Sequence, residues 1–91
     1  MKEAVIVSTA RTPIGVAFKG SLNTIKSPSM MGHAIKHAVQ RAGVDAAEID
    51  DVVIGSVLNA GTAGMNVARL SSIAAGLPVT VSAQTIDRQC S

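Results

Sequence analysis

Apolar residues occur in three short runs separated by two segments of helical periodicity. The first run, residues 4–7, is apolar without alternation, which is typical of a strand buried on both faces. Residues 52–58 and 79–86 are rich in β-branched side chains and predict a second and a third strand. The predicted order is therefore strand, helix, strand, helix, strand.

The segment between the first two runs predicts the first helix. Its apolar side chains recur at steps of three and four residues, which places them on one helical face. They are Met31, Ala34, Ile35, Ala38, Val39 and Ala42. Ser29 is the predicted N-cap and Gly43 the C-terminal stop. Residues 45–48 have the spacing of a capping box and predict one further helical turn.

A second helix is predicted over residues 66–75, and Gly76 and Pro78 end it. The apolar face of this helix consists of Val67, Leu70, Ile73 and Ala74. Residues 8–29 show no sustained period, and residues 59–64 are rich in glycine. Both segments therefore predict loops.

These elements predict an α/β fold. Successive βαβ crossovers place their strands parallel, so we expect a mostly parallel sheet with flanking helices in the order β-α-β-α-β. The apolar content is mainly Ala, Val and Ile, with one Phe and neither Trp nor Tyr. Such side chains bury little area each. We therefore expect residues 1–91 to be an incomplete part of a larger domain.

Composition and charge argue against several classes of protein. The chain is 47% hydrophobic and 15% charged, which is too apolar for a disordered segment. Its net charge of +2 comes from scattered basic residues, so no nucleic-acid partner is expected. No apolar run approaches about 18 residues, so no membrane partner is expected either. A single cysteine and the absence of a secretory pattern before the first strand predict a reducing, cytoplasmic location.

The lone cysteine, Cys90, follows the third predicted strand. Parallel sheets gather ligands and reactive groups at the carboxyl ends of their strands. A helix beginning at that edge would also stabilise a thiolate. The alternative is a buried structural thiol, because free cysteine is among the most buried residue types. Position alone leaves both interpretations open.

Two other patterns carry weaker signals. Gly61 and Gly64 lie between a strand and a helix, but their spacing matches neither a dinucleotide fingerprint nor a Walker A loop, so a tight turn is the simpler interpretation. His33 and His37 lie four residues apart on the first helix. No third ligand is evident and their polar neighbours indicate a solvated face, so no metal site is predicted. The acidic residues between 45 and 51 fit capping and solubility.

Four blocks of sequence add a more specific signal. They are Val-Ser-Thr-Ala-Arg-Thr-Pro-Ile-Gly at 7–15, Asn-Val-Ala-Arg at 66–69, Ala-Gly-Leu-Pro-Val at 75–79 and Gln-Thr-Ile-Asp-Arg-Gln-Cys-Ser at 84–91. In this order and spacing they resemble the thiolases, acyltransferases that cleave or form 3-ketoacyl-CoA. Met65 and Val67 stand where many thiolases have Gln and Pro, and Ile86-Asp87 where many have Val-Asn. The ending Asp-Arg-Gln-Cys-Ser is closer to the degradative thiolases of fatty acid metabolism.

The resemblance implies the thiolase fold, with two similar α/β halves, and makes residues 1–91 the first part of the amino-terminal half. It implies that Cys90 is the acyl-accepting nucleophile at the start of a buried helix, with its backbone N–H as one oxyanion-hole donor. The family's activating histidine, second cysteine and supporting asparagine would lie beyond Ser91. The resemblance therefore predicts that the 91-residue chain alone is inactive.

For the complete enzyme, the resemblance implies acyl-CoA and CoA as substrates and no separate cofactor. The reaction would be thiolytic cleavage of 3-ketoacyl-CoA or the reverse Claisen condensation of acetyl-CoA. A homodimer or homotetramer is expected, with residues 79–86 at the dimer interface. The alternative is a noncatalytic interaction module that pairs an exposed strand edge with a partner. A noncatalytic thiolase relative that binds acyl chains is a third interpretation, against which Cys90 argues.

Overall fold

A computed structural model describes residues 2–90 of the chain. Within this range there are two helices, two strands and three short 3₁₀ turns. In chain order they are a turn at Ser21–Thr24, α1 at Ser27–Ala42, a turn at Ala46–Glu48, β1 at Asp51–Ser56, a turn at Gly61–Ala63, α2 at Val67–Ala74 and β2 at Ser82–Asp87.

The two strands pair in parallel, with Asp51 opposite Ser82 and Ser56 opposite Asp87. α2 connects them and packs against both, which makes a βαβ unit. α1 packs against the other side of this unit, mainly on α2. The predicted α/β class with a parallel sheet and helices is confirmed.

The first predicted strand does not form. Residues 4–7 adopt no regular structure and pair with neither β1 nor β2. Val5, Ile6 and Val7 are 72, 87 and 70% exposed. A strand buried on both faces requires a paired edge and a covering layer on each side, and no element among residues 2–90 supplies these to the segment. The predicted order β-α-β-α-β is therefore wrong for the described residues, which run α-β-α-β.

α1 begins three residues earlier than predicted. Its N-cap is Lys26, so Ser29 lies inside the first turn rather than at the cap. Pro28 occupies that first turn, where a missing backbone N–H costs nothing and the fixed φ suits a helix. The predicted C-terminal stop is confirmed, since Gly43 has a left-handed φ of 69° and its N–H donates to the Gln40 carbonyl.

The buried face of α2 differs from the predicted apolar face. Leu70 and Ile73 are 44 and 47% exposed. The residues that are almost completely buried are the smaller ones Val67, Ala68, Ser71 and Ser72. α2 lies between the sheet and α1. The side chains that it buries on these two sides must therefore be small. A Cβ on Gly32 of α1 would lie only 3.0 Å from the Ala74 Cβ, which shows how closely the two helices approach.

The core centres on Ile54 of β1 with Val67 and Ala68 of α2. Partly buried side chains of Ile35, Val52 and Ala83 pack against them. Both strands lie within or close to their predicted segments. β2 begins at Ser82 rather than at residue 79, because the Val81 N–H donates to the Pro78 carbonyl at 3.1 Å and closes a turn there.

The connections largely follow the predictions. The predicted turn over residues 45–48 is a 3₁₀ turn at Ala46–Glu48, and the Asp45 carboxylate accepts a hydrogen bond from the Ala47 N–H at 3.0 Å. Residues 8–20 are irregular, as predicted for a loop. The side-chain amide of Asn23 organises the end of this loop by donating to the carbonyls of Val16 and Gly20 at 3.0 and 2.8 Å.

Candidate active site

The carboxyl ends of β1 and β2 lie at the same edge of the sheet. Ser56 and Asp87, the last residues of the two strands, are aligned in register. The Arg88 N–H donates to the Ser56 carbonyl at 3.2 Å, which continues the pairing one residue past β2. Cys90 follows two residues later. The structure thus places the cysteine just beyond the carboxyl end of a parallel strand.

The Cys90 thiol is free and exposed. The backbone of Cys90 has a φ of 35°. A side chain beyond Cα makes positive φ unfavourable by about 1–2 kcal/mol, and strain of this kind is concentrated at functional sites.

The start of α2 is hydrogen-bonded to β2 through two side chains, which we call the Asn66–Thr85 bridge. The Thr85 hydroxyl donates to Asn66 Oδ1 at 2.8 Å and accepts from the Ala68 N–H at 3.0 Å. Asn66 Nδ2 donates to the Ala83 carbonyl at 3.3 Å. The bridge therefore joins the first turn of α2 to the middle of β2, at Ala83 and Thr85. Sequence reasoning placed Asn66 at the start of a helix and both residues within family motifs, but gave neither a role in joining helix to strand.

A second connection holds the amino-terminal approach to β2. The Arg69 guanidinium donates through Nη1 to the Val81 carbonyl at 2.6 Å and through Nη2 to the Val79 carbonyl at 3.1 Å. A planar guanidinium suits two such bonds at once. α2 thus holds the approach to β2 through Arg69 and the strand itself through the Asn66–Thr85 bridge.

Comparison with known proteins identifies the family. Residues 4–91 match the family model described as thiolase, N-terminal domain. The chain belongs to the thiolase family. The matched range covers nearly all of the chain, including Cys90 and both residues of the Asn66–Thr85 bridge.

Curated relatives of this thiolase chain match it along its length. The 3-ketoacyl-CoA thiolase of Bacillus subtilis is 47% identical over 91 residues, which cover 100% of this chain and 23% of the relative. The acetyl-CoA acetyltransferase of Pseudomonas aeruginosa is 42% identical over 90 residues, 99% of this chain and 22% of the relative. That of Cupriavidus necator is 47% identical over 90 residues, again 99% and 22%. The chain thus spans less than a quarter of the length of these relatives.

The two histidines of this thiolase chain lie on α1. Their ring centroids are 4.5 Å apart. They line a small surface cleft together with Arg11 and Arg41, and no residue of β2 or of the segment that carries Cys90 lines that cleft. The cleft that the two histidines line therefore does not include Cys90. Among residues 2–90, no group of three His, Cys, Asp or Glu side chains has the arrangement needed to hold a metal ion.

The glycine-rich loop of this thiolase chain forms the 3₁₀ turn Gly61–Ala63, and Gly61 has a φ of 57°. This agrees with the tight turn that was the simpler interpretation. The amino-terminal N–H groups of α2 that a phosphate loop would offer are partly taken. The Ala68 N–H bonds to Thr85 and the Arg69 N–H to Asn66.

The acidic residues of this thiolase chain have structural partners. Asp45 caps the turn that follows it, as predicted. Asp51 has a role that the sequence did not indicate, because its carboxylate accepts from Ser82 Oγ at 3.0 Å and from Gln84 Nε2 at 3.2 Å. These bonds join the amino ends of β1 and β2, at the edge opposite Cys90. No helix found among residues 2–90 has the length and apolar character needed to cross a membrane.

Proposed function

We propose that the full-length protein containing this chain transfers acyl groups between CoA thioesters, and that Cys90 is its nucleophile. The observation that carries the proposal is the position of Cys90 just beyond the carboxyl end of a parallel strand, within a chain that matches the thiolase amino-terminal domain. Relatives that are 42 to 47% identical over nearly all of this chain carry the names 3-ketoacyl-CoA thiolase and acetyl-CoA acetyltransferase. These names support acyl-CoA and CoA as the substrates.

The proposed reaction proceeds in two steps. The Cys90 thiolate attacks the 3-keto carbon of a 3-ketoacyl-CoA, the bond between carbons 2 and 3 breaks, and its electron pair leaves with acetyl-CoA as an enolate that takes up a proton. The sulfur now carries the shortened acyl group as a thioester. The thiolate of free CoA then attacks that carbonyl, releases the new acyl-CoA and restores the Cys90 thiolate. Two modest barriers replace one difficult cleavage of a carbon–carbon bond.

Run in reverse from acetyl-CoA, the same steps form a carbon–carbon bond. Cys90 is first acetylated, and the enolate of a second acetyl-CoA attacks the acetyl group to give acetoacetyl-CoA. The exchange of the acyl group between Cys90 and CoA is nearly balanced in free energy, because both forms are thioesters. Free CoA is a substrate of the cleavage and a product of the condensation, and the proposal includes no separate cofactor or metal.

Thiol activation in this proposal depends on groups outside the described residues. A free thiol has a pKa near 8.5, so only a few per cent is thiolate at pH 7. A base is needed to raise that fraction, and His33 and His37 lie on α1 in a cleft that excludes the Cys90 segment. We propose that the family's histidine and second cysteine, carried by the rest of the full-length protein, supply the base and the acid.

The test is direct detection of the acyl-enzyme. The full-length protein is incubated briefly with acetyl-CoA, quenched in acid, digested and mapped by mass spectrometry. We expect an added acetyl group on the peptide that contains Cys90, removed when free CoA is present. An active protein that carries the acyl group on another cysteine, and none on Cys90, would refute the assignment.

We also propose that the full-length protein is a homodimer or a homotetramer, with the region of residues 79–86 at the dimer interface. In β2, Ile86 is 37% exposed, and Val79 just before the strand is 75% exposed. Apolar side chains of this kind fit the centre of an interface. Sedimentation velocity should give a dimer or a larger species. A monomer at micromolar concentration would contradict the proposed assembly.

The alternative function is a noncatalytic interaction module. Exposed apolar side chains favour it, above all Ile14, Phe18 and Ile6, which are 100, 97 and 87% exposed. The two-stranded sheet among residues 2–90 also leaves unpaired edges. An interaction module needs no reactive cysteine, so a full-length protein that binds a partner but never acylates Cys90 would favour this alternative.

A further inference from the structure

The Asn66–Thr85 bridge has no role in the proposed chemistry, yet each polar atom of the two side chains has a hydrogen-bond partner. The Thr85 hydroxyl has one donor and serves as both donor and acceptor. The Asn66 amide accepts from Thr85 and from the Arg69 N–H, and donates to the Ala83 carbonyl. A cluster in which each polar atom has a partner holds its members in one relative position.

Asn66 makes these bonds from an uncommon backbone conformation. Its φ and ψ are 56° and 70°, in the left-handed region. Asparagine tolerates this region better than other residues with a side chain, apart from aspartate. The conformation allows one residue to cap α2 and still reach β2. A standard N-cap requires no contact with a strand, so the reach to β2 is a separate feature of this site.

The bridge lies close to Cys90 along a restrained backbone. Thr85 pairs with Ile54 in the sheet, Asp87 pairs with Ser56, and Arg88 donates to the Ser56 carbonyl. Only Gln89 separates that last anchor from Cys90. Two residues span at most about 7 Å, so the position of Arg88 largely determines where the thiol can lie. A shift of β2 against α2 would be passed on to Cys90.

We infer that Asn66 and Thr85 are positioning residues for the Cys90 thiol. They hold the middle of β2 against the first turn of α2, and thereby keep the segment 88–90 in place for attack on the substrate carbonyl. Arg69 holds the approach to β2 instead and contributes to stability alone. The inference rests on the proposed function, since it concerns the geometry of the proposed nucleophile.

The test compares variants of the full-length protein. Thr85→Val keeps the shape of the side chain but removes both hydrogen bonds, and Thr85→Ser keeps the hydroxyl. Arg69→Met is the matched control, because it breaks two hydrogen bonds that α2 makes to the carbonyls just before β2. For each variant, the rate of acetyl transfer to the Cys90 peptide, kcat, KM and Tm are measured.

We expect Thr85→Val to slow acylation of Cys90 and kcat by about tenfold or more, with KM changed less than about twofold, because a displacement on the order of 1 Å costs up to about 100-fold in rate. Thr85→Ser should stay within about threefold of the unmodified protein, as expected where a hydroxyl is what matters. Arg69→Met should lower Tm with little effect on the acylation rate. Equal slowing in Thr85→Val and Arg69→Met would overturn the inference, as would a wild-type rate in folded Thr85→Val.

Two further measurements keep the outcome decisive. If Thr85→Val does not fold, Asn66→Gly breaks the bridge from the other side, because glycine adopts the left-handed conformation without strain. Asn66→Gly is then expected to slow acylation of Cys90 and kcat as much as stated for Thr85→Val. Alkylation of the Cys90 peptide by iodoacetamide reports the thiol without any acyl transfer. If Cys90 of the unmodified protein takes no acyl group, the proposed function fails, and equal alkylation rates with and without the bridge would then refute the positioning role as well.

Discussion

Replacing Cys90 by alanine should abolish thiolysis of acetoacetyl-CoA by the full-length protein. Removing the group that accepts the acyl chain leaves no covalent route, and loss of a catalytic nucleophile typically costs about 10⁴-fold or more in kcat. Because the substitution removes only one sulfur atom, it should leave the fold nearly intact, at a cost on the order of 1 kcal/mol in the free energy of unfolding. The measurement is initial velocity at saturating CoA, read beside a thermal melt of the same preparation.

Two controls sharpen this prediction. Cys90→Ser keeps the size of the side chain but offers a hydroxyl, which is a far weaker nucleophile at neutral pH. It should therefore be nearly as inactive as Cys90→Ala. Gln89→Ala changes the exposed neighbour without touching the thiol and should retain activity. A folded Cys90→Ala protein that keeps more than about one per cent of its activity would show that another group carries the acyl chain, because about 10⁴-fold is the loss expected of a nucleophile.

The 91-residue chain by itself should show no thiolysis. Its only histidines are His33 and His37, and both line a cleft formed by α1 and the loop around Arg11, away from the Cys90 segment. Cys90 does not line that cleft. Neither histidine is therefore placed there to act as the base that removes the thiol proton. Exposed apolar side chains such as Ile14 and Phe18 should also make the isolated chain associate.

The measurement is a thiolysis assay on the purified 91-residue chain with acetoacetyl-CoA and CoA. The full-length protein at the same molar concentration is the positive control, and light scattering reports association. Turnover by the short chain that disappears in its Cys90→Ala variant would reveal a base among these residues, and the proposed division of catalytic groups would have to be abandoned.

Local patterns in the sequence predicted the elements that depend on neighbouring residues. The periodicity of α1 and the left-handed Gly43 that ends it, the capped turn after Asp45, and the strands β1 and β2 all formed. The family was also recognised from its motifs, and the match over residues 4–91 confirms it. The position of Cys90 at the carboxyl edge of the sheet was predicted from its place after the third predicted strand, because strand order defines that edge in a parallel sheet.

The errors occurred where the outcome depended on distant partners. Residues 4–7 have the composition of a buried strand, but no element among residues 2–90 covers or pairs with them. The buried face of α2 was misassigned because side-chain hydrophobicity predicted Leu70 and Ile73, while the closeness of α1 favoured smaller residues. Burial is decided by the distance between elements, which periodicity does not report.

By itself, the sequence determined the class of the fold, the family and the position of its one cysteine, since these follow from local periodicity, from motifs and from chain order. The tertiary structure alone decided which elements meet. It placed Asn66 in a left-handed conformation and joined it to Thr85, 19 residues away, and it directed Arg69 to the carbonyls before β2. Hydrogen bonds between distant residues require the packed arrangement of helix on sheet, because only that arrangement brings their donors and acceptors within reach.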